Sequence, residues 1–190
     1  MSTTTQETRV ANKKSGLGAR HGVKSEATAL FTVKPGHADE LRAACQRFVA
    51  KLKSAPFNLL QQIGLHYTRL VVVNNGAYLI WLTAFDTDFA PYVDDGVNMF
   101  GVGTWYDWLQ HCTECPEGFE RFTGPQVREV ILRNATTADG YFESFPDLTM
   151  GEIKKGQRVR AALEQVLEQP EAPTLLQHPA LKPLLDEAAD

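Results

Sequence analysis

Apolar residues recur with the periods of strands and helices through the middle of the chain. Residues 27–33 are apolar and β-branched and are followed by Pro35-Gly36, a pattern that predicts a strand and a turn. Between residues 38 and 53 the apolar positions recur at spacings of three and four, with charged residues between them. This spacing predicts an amphipathic helix with one apolar stripe.

The clearest local pattern lies at residues 65–85, where two strand-like runs are joined by Asn75-Gly76, the pair favoured in a type I′ hairpin turn. A two-residue turn predicts that His66 lies opposite Phe85 and shares a face with Trp81. Both faces of this hairpin are largely apolar. In a sheet with one face exposed to solvent, apolar and polar residues alternate along each strand. We therefore expect the domain's helices to cover one face and a partner sheet, later helices or a ligand pocket to cover the other.

The rest of the chain predicts further helices and one more strand. They are a helix capped by Asp88 and interrupted at Gly96, Gly101 and Gly103, a second piece capped by Thr104, a helix at 125–134, a last strand at 140–145, and a helix from Thr149 to about residue 168. Residues 125–134 would also fit an alternating strand, but the helix is preferred. The order of elements then matches an α+β fold, a ferredoxin-like βαββαβ unit with additional C-terminal helices.

The two ends of the chain lack this periodicity. Residues 1–25 hold five basic residues, one acidic residue and few large apolar side chains, so we expect a mobile basic arm. Residues 170–190 are acidic and proline-rich, which is typical of a tail with one or two helical turns. The folded domain is therefore predicted at residues 26–169.

Composition places the 190-residue chain among soluble globular proteins, with 43% hydrophobic and 22% charged residues. No apolar run reaches the roughly 20 residues of a membrane-spanning helix. The first residues lack the apolar segment of a secretory signal and the three cysteines are an odd number, so a cytoplasmic location is expected. The net charge of −4, and a basic arm without interleaved aromatic residues, argue against nucleic-acid binding.

The candidate site is expected on and beside the hairpin face that carries His66. One imidazole, two hydroxyls and several aromatic rings are expected there: His66, Thr68, Trp81, Thr83, Tyr92, Trp105 and Trp108. Together they could form an apolar pocket for a haem, a ring system or a fatty chain. The alternative is an ordinary aromatic core with a satisfied histidine.

Arg69 is unusual because it lies in the middle of a strand among valines. A buried guanidinium needs a partner, which Asp86, Asp88, Asp94 or Asp95 could provide. An ion pair would be structural, whereas a free guanidinium could clamp an anion.

The segment from His111 to Cys115 contains a Cys-x-x-Cys pair, Cys112 and Cys115. A zinc site would need further ligands, which only Cys45 and His111 could supply if the fold brought them close. We expect structural cysteines, with a redox pair or a metal site as the alternatives. Motifs for nucleotide binding, serine nucleophiles and HExxH metal sites do not occur in the sequence.

Several strings resemble a family of small bacterial proteins that largely lack an assigned activity. They are residues 29–36, a strand followed by Lys-Pro-Gly; residues 65–71, of the form LHxxRxV; and residues 83–95, which end in Tyr-x-Asp-Asp. The likeness spans about residues 27–168. More distantly, the chain is similar to the dimeric α+β barrel superfamily, which includes dye-decolourising peroxidases, chlorite dismutase-like haem proteins and antibiotic-biosynthesis monooxygenases.

The resemblance implies that two ferredoxin-like units pair through their sheets, as a homodimer or a larger homo-oligomer. The resemblance itself carries over no catalysis, but together with the hairpin face that carries His66, Thr68 and Trp81 it favours a small oxidoreductase or oxygenase-like protein that holds haem or an apolar small molecule over its sheet. His66 would be an axial ligand or acid/base group, Arg69 an anion clamp, and Trp81 and Trp105 pocket walls, although no proximal histidine can be matched by motif.

The competing hypothesis is a non-catalytic binding or assembly protein. A pocket of a few hundred cubic ångströms over the predicted face of His66 and Trp81 would favour ligand chemistry. A tightly packed face would favour assembly.

Overall fold

An antiparallel sheet lies at the centre of the computed structural model, which describes residues 18–188. The described chain divides into two compact units, one ending at Gly151 and the other beginning at Glu152. The sheet belongs to the first unit. Its strands are β1 (Arg20–His21), β2 (Lys24–Thr32), β3 (Leu65–Val73), β4 (Tyr78–Phe85) and β5 (Ala135–Thr136).

The strands lie in the order β1-β2-β4-β3, and β5 also pairs with β2. One edge of the sheet is closed, because β1, β5 and the bridge between Val33 and Cys112 all pair along β2. The Glu114 carboxylate also accepts the Thr32 N–H, at 2.9 and 3.0 Å. At the opposite edge β3 pairs with β4 alone among the described strands. The fold is thus mixed α/β with an antiparallel sheet.

The helices of the first unit pack on one face of the sheet, which we call the inner face. They are α1 (Ala38–Ser54), α2 (Phe57–Gln62), α3 (Phe89–Phe100), α4 (Val102–Leu109) and α5 (Gly124–Asn134). Helix α1 buries its apolar stripe, as predicted from its spacing: Leu41, Ala44, Cys45, Phe48 and Leu52. Alternate residues of β2 and β4, such as Phe31 and Leu79, are fully buried beneath the helices.

The predicted register of the hairpin is correct along most of its length. Leu70 lies opposite Trp81 and Thr68 lies opposite Thr83. The turn is wider than predicted, since the strands end at Val73 and begin again at Tyr78. Residues Asn74 and Asn75 take left-handed backbone conformations, with φ of 50° and 52°. At the other end of the hairpin a bulge at His66 brings Leu65, instead of His66, opposite Phe85.

Three later predictions need correction. Residues 140–145 form no strand, and the short β5 pairs with β2 instead. Helix α3 continues through Gly96 and ends before Gly101, whose φ is 77°. Helix α4 begins at Val102 and includes Thr104, which was predicted as its cap. The helix predicted at 125–134 is confirmed as α5.

Ordered structure begins earlier than predicted, because β2 begins at Lys24 instead of residue 27. Residues 1–17 of the predicted arm lie outside the described residues. The helix predicted from Thr149 is α6 (Met150–Leu167), and the second unit also contains α7 (Ala172–Leu175) and α8 (Lys182–Ala188). None of the described helices has the length and apolar character needed to cross a membrane.

Candidate functional site

The predicted aromatic residues meet on the inner face of the sheet. The rings of Trp81 and Trp105 lie edge to face with centroids 5.6 Å apart. Beside them is a cavity of about 20 Å³. Its lining is aromatic and aliphatic apart from one hydroxyl and one phenol: Phe48, Leu52, Ile63, Leu65, Thr68, Trp81, Tyr92, Gly96, Phe100 and Trp105. This volume corresponds to about one water molecule.

Most polar groups around this cavity already have partners. Trp81 Nε1 donates to the Thr68 hydroxyl at 2.7 Å. The Thr83 hydroxyl donates to the Tyr67 carbonyl at 3.1 Å and lies 2.6 Å from the Tyr92 hydroxyl, which donates to it. Burial raises the pKa of Tyr92, so its phenol stays neutral and serves as a donor.

Trp105 is the exception among the residues that line the cavity. Its side chain is 4% exposed, and its Nε1 has no hydrogen-bond partner among the described residues. A buried donor without a partner costs free energy, which a ligand acceptor or a water could recover. Trp108 is also fully buried, but it does not line the cavity and packs edge to face against Phe31.

His66 does not share the cavity with Trp81, which corrects the prediction. The bulge places Leu65 in the inner position, and Leu65 lines the cavity. His66 Nε2 instead hydrogen-bonds the Asp86 carboxylate, and the two side chains are 11% and 12% exposed. The second carboxylate oxygen of Asp86 accepts the Met150 N–H at 2.7 Å. His66 Nε2 is therefore held at the end of the hairpin by Asp86, and a role for His66 as an axial ligand or an acid/base group stays a prediction.

Arg69 is exposed on the face opposite the helices, so the expectation of a buried guanidinium was wrong. In the observed register Arg69 lies opposite Leu82 on this outer face. Two of the four acids expected to pair with it have other partners, since Asp86 bonds His66 and Asp94 pairs with Arg128. An anion-binding role for Arg69 stays a prediction.

The outer face of the sheet is apolar across three strands. Leu30, Ile80 and Val71 form one row, because Ile80 pairs with both of the other residues. Tyr78 continues the patch in the next row, opposite Val73. Leu30 is 49% exposed, Val71 39% and Tyr78 38%. We call these residues, with Val73 and Leu82, the outer patch.

A buried polar cluster lies where β2 begins. Lys24 Nζ contacts the Glu143 carboxylate at 3.1 Å, and its side chain is only 4% exposed. The Glu26 carboxylate accepts the N–H groups of Ala19 and Ala138 at 3.2 and 3.0 Å. Sequence reasoning missed this cluster because Lys24 was assigned to the arm and residues 140–145 to a strand. Two charged residues, Lys24 and Glu26, alternate at the start of an apolar strand, and this pattern could have indicated a polar cluster there.

The cysteines do not form the metal set that the sequence left open. Cys45 and Cys112 are buried free thiols, and burial raises their pKa values to about 11 and about 12. Cys115 is half-buried and also free. Within residues 18–188 no group of three or more His, Cys, Asp or Glu residues could hold a metal ion. His111 lies instead against His37, with their Nδ1 atoms 3.1 Å apart.

Neither a family model nor a curated protein matches the sequence, so the family indicated by its motifs stays a prediction. Among solved structures, the chain is similar to one described as an antibiotic biosynthesis monooxygenase from Bordetella bronchiseptica. The identity is 17% and the TM-score is 0.32, and the match covers 48% of this chain and 84% of that chain.

Proposed function

We propose that this protein is an assembly module that pairs with a second copy of itself through the outer patch. The observation that supports this proposal is the row of Leu30, Ile80 and Val71, which crosses three strands without a polar residue. A sheet face that meets water normally carries polar residues at these positions. A contiguous apolar patch of this kind marks an interaction surface.

An identical sheet suits this surface well. Two sheets pack face to face when their apolar faces interdigitate at about 10 Å, with strand directions within about 30°. A two-fold contact uses the same patch on both copies, so one patch is sufficient for a closed dimer. The pair would be a dimer of ferredoxin-like units, in which the polar residues Thr28, Thr32 and Arg69 lie around the apolar rows.

The test is the oligomeric state of Leu30→Glu, measured by sedimentation velocity. Placing a charge at this end of the apolar row should convert a dimer into a monomer, because an unpaired carboxylate would be buried in the contact. Leu132→Glu is the matched control, since Leu132 is also exposed, at 38%, but lies on α5. A monomeric wild-type protein, or a Leu30→Glu variant that stays dimeric, would contradict the proposal.

Trp105 supports a second candidate function, an oxygenase-like protein that binds a small apolar ring in the inner cavity. Trp105 lines a cavity with aromatic walls, and its Nε1 donor has no partner among the described residues, a combination that a small-molecule pocket can use. The cavity of about 20 Å³ must widen to admit a ring. It does not fit a haem, since ligand pockets of that kind measure roughly 300 Å³ or more.

Binding of 2-naphthol and naphthalene, followed by tryptophan fluorescence, tests this candidate. The naphthol oxygen can accept a hydrogen bond from Trp105, so naphthol should bind more tightly than naphthalene, and Trp105→Phe should remove the difference. Trp108→Phe is the matched control, because Trp108 does not line the cavity. Equal binding of both probes to the wild-type protein, or no binding of either, would exclude this candidate.

A further inference from the structure

Two histidines from different parts of the chain meet at the surface of the first unit. His37 occupies the N-cap position of α1, and His111 follows α4. Their Nδ1 atoms lie 3.1 Å apart and their ring centroids 5.4 Å apart. His37 is exposed and His111 half-buried, so the pair is accessible from solvent. This pair takes no part in the outer patch or the inner cavity.

The backbone holds both residues in place. His37 donates its N–H to the Lys34 carbonyl at 3.0 Å, and Lys34 donates its own N–H to the His111 carbonyl at 2.9 Å. The next residue, Cys112, forms an isolated bridge with Val33. Lys34 thus connects the two histidines directly through main-chain hydrogen bonds. The two imidazoles are positioned by the fold, which reduces the entropy lost when both bind one ligand.

The separation of the two nitrogens matches that of neighbouring ligands on a metal ion. Bonds of about 2.0–2.1 Å place two imidazole nitrogens roughly 2.9 Å apart at a right angle and roughly 3.4 Å apart at a tetrahedral angle. The observed 3.1 Å lies between these values. Without metal, one Nδ1 donates to the other; to bind metal, the donor imidazole carries its proton on Nε2 and both rings turn slightly.

We propose that His37 and His111 form a binding site for a divalent transition-metal ion, with water completing the coordination. Neutral imidazole suits Cu²⁺, Ni²⁺ and Zn²⁺, while Mg²⁺ and Ca²⁺ prefer oxygen ligands. Because no third protein ligand is available among the described residues, the site is an open one.

Isothermal titration of the full chain with NiCl₂ tests the proposal, since Ni²⁺ does not oxidise the free thiols. One ion should bind per chain. Mutation of a residue that only hydrogen-bonds a metal ligand lowers metal affinity by roughly 10- to 100-fold. His37→Asn or His111→Asn removes a ligand itself, so either variant should weaken binding by about tenfold or more. His178→Asn is the matched control, because His178 lies in the second unit and should not change the affinity.

Thermal unfolding supplies a second measurement that does not depend on heat of binding. NiCl₂ should raise the Tm of the wild-type protein and of His178→Asn, because the ion binds the folded state, but not that of the other two variants. CuCl₂ should bind more tightly than NiCl₂ in the same assay. If the wild-type protein binds no Ni²⁺, or if folded His37→Asn and His111→Asn bind it as the wild type does, the proposal is wrong.

Discussion

His66 and Asp86 form a hydrogen bond that closes the open end of the β3–β4 hairpin. The bulge that displaces His66 from the inner face makes this contact possible, since a regular register would place His66 opposite Phe85. Asp86 also accepts the Met150 N–H, so one carboxylate contacts both His66 of the hairpin and Met150, near the end of the first unit. The pair is therefore a structural connection between elements that are distant in the sequence.

His66→Ala should lower the free energy of unfolding by about 1–3 kcal/mol, because the Asp86 carboxylate is 12% exposed and loses a partner. A double-mutant cycle with Asp86→Ala, measured by urea denaturation, should give a coupling energy of about 1 kcal/mol or more. Glu129→Ala, which removes one side of an exposed pair with Arg133, is the control, with little expected loss. A coupling energy near zero would show that the contact contributes nothing.

Glu143→Gln should change how stability depends on pH. Burial alone would raise the pKa of Glu143, but hydrogen bonds from the Phe145 N–H and from Lys24 lower it below its usual value. The contribution of Glu143 is therefore complete above the unfolded pKa of about 4.3 and is lost as the pH falls through the folded value.

Urea denaturation between pH 7 and pH 3 checks this sign. Wild type should be more stable than Glu143→Gln near pH 7, and the difference should shrink as the pH falls. Glu129→Gln removes a carboxylate from an exposed pair with Arg133 and should have little effect at either pH. A difference that grows on acidification would contradict the assigned direction.

The three thiols should differ in reactivity. Burial raises the pKa of Cys45 to about 11 and that of Cys112 to about 12, so few thiolates form at pH 8. Cys115 is the most exposed of the three and should react first with iodoacetamide in the native protein. Mass spectrometry after timed alkylation measures the order, and the same reaction in urea is the control, where all three should react alike.

Alanine substitutions at Gly64 and Gly36 can be compared to test how closely the chain packs against Asp86 at the end of the hairpin. Both have positive φ, 64° and 80°, so alanine at either position should cost about 1 kcal/mol or more. A Cβ at residue 64 would also lie 2.8 Å from the Cβ of Asp86, while one at residue 36 meets nothing within 4 Å. Gly64→Ala should therefore lower the Tm further than Gly36→Ala, and equal losses would contradict this explanation.

Local pattern was sufficient to predict helix α1 and most of the hairpin register. Both depend on apolar periodicity, and a one-residue slip of the hairpin would expose Trp81. The bulge at His66 could not be predicted, because the apolar pattern of residues 65–73 fits a regular strand and the contact of His66 with Asp86 joins positions 20 residues apart. The sequence also gave no sign of β5, because a strand of 2 residues has no period to detect.

The candidate site was only partly predictable, because local periodicity indicates which residues are buried but does not encode contacts between distant segments. Trp81, Tyr92 and Trp105 were expected to meet because aromatic residues near one sheet face are buried together, and they do. Arg69 was misplaced because its valine neighbours suggested a covered face, whereas Arg69 is exposed in the described structure. Contacts such as Lys24 with Glu143 join distant segments, and no local pattern encodes them.

The two edges of the sheet are unequal, and this limits how the protein can associate. Along β2 the edge is occupied by β1, β5 and the segment at Cys112, and the Glu114 carboxylate takes up the Thr32 N–H. Among the strands of residues 18–188, a strand from another molecule can therefore add only beside β3. Since a chain with one available edge can join only one neighbour in this way, strand addition ends at a pair and cannot propagate into a fibre.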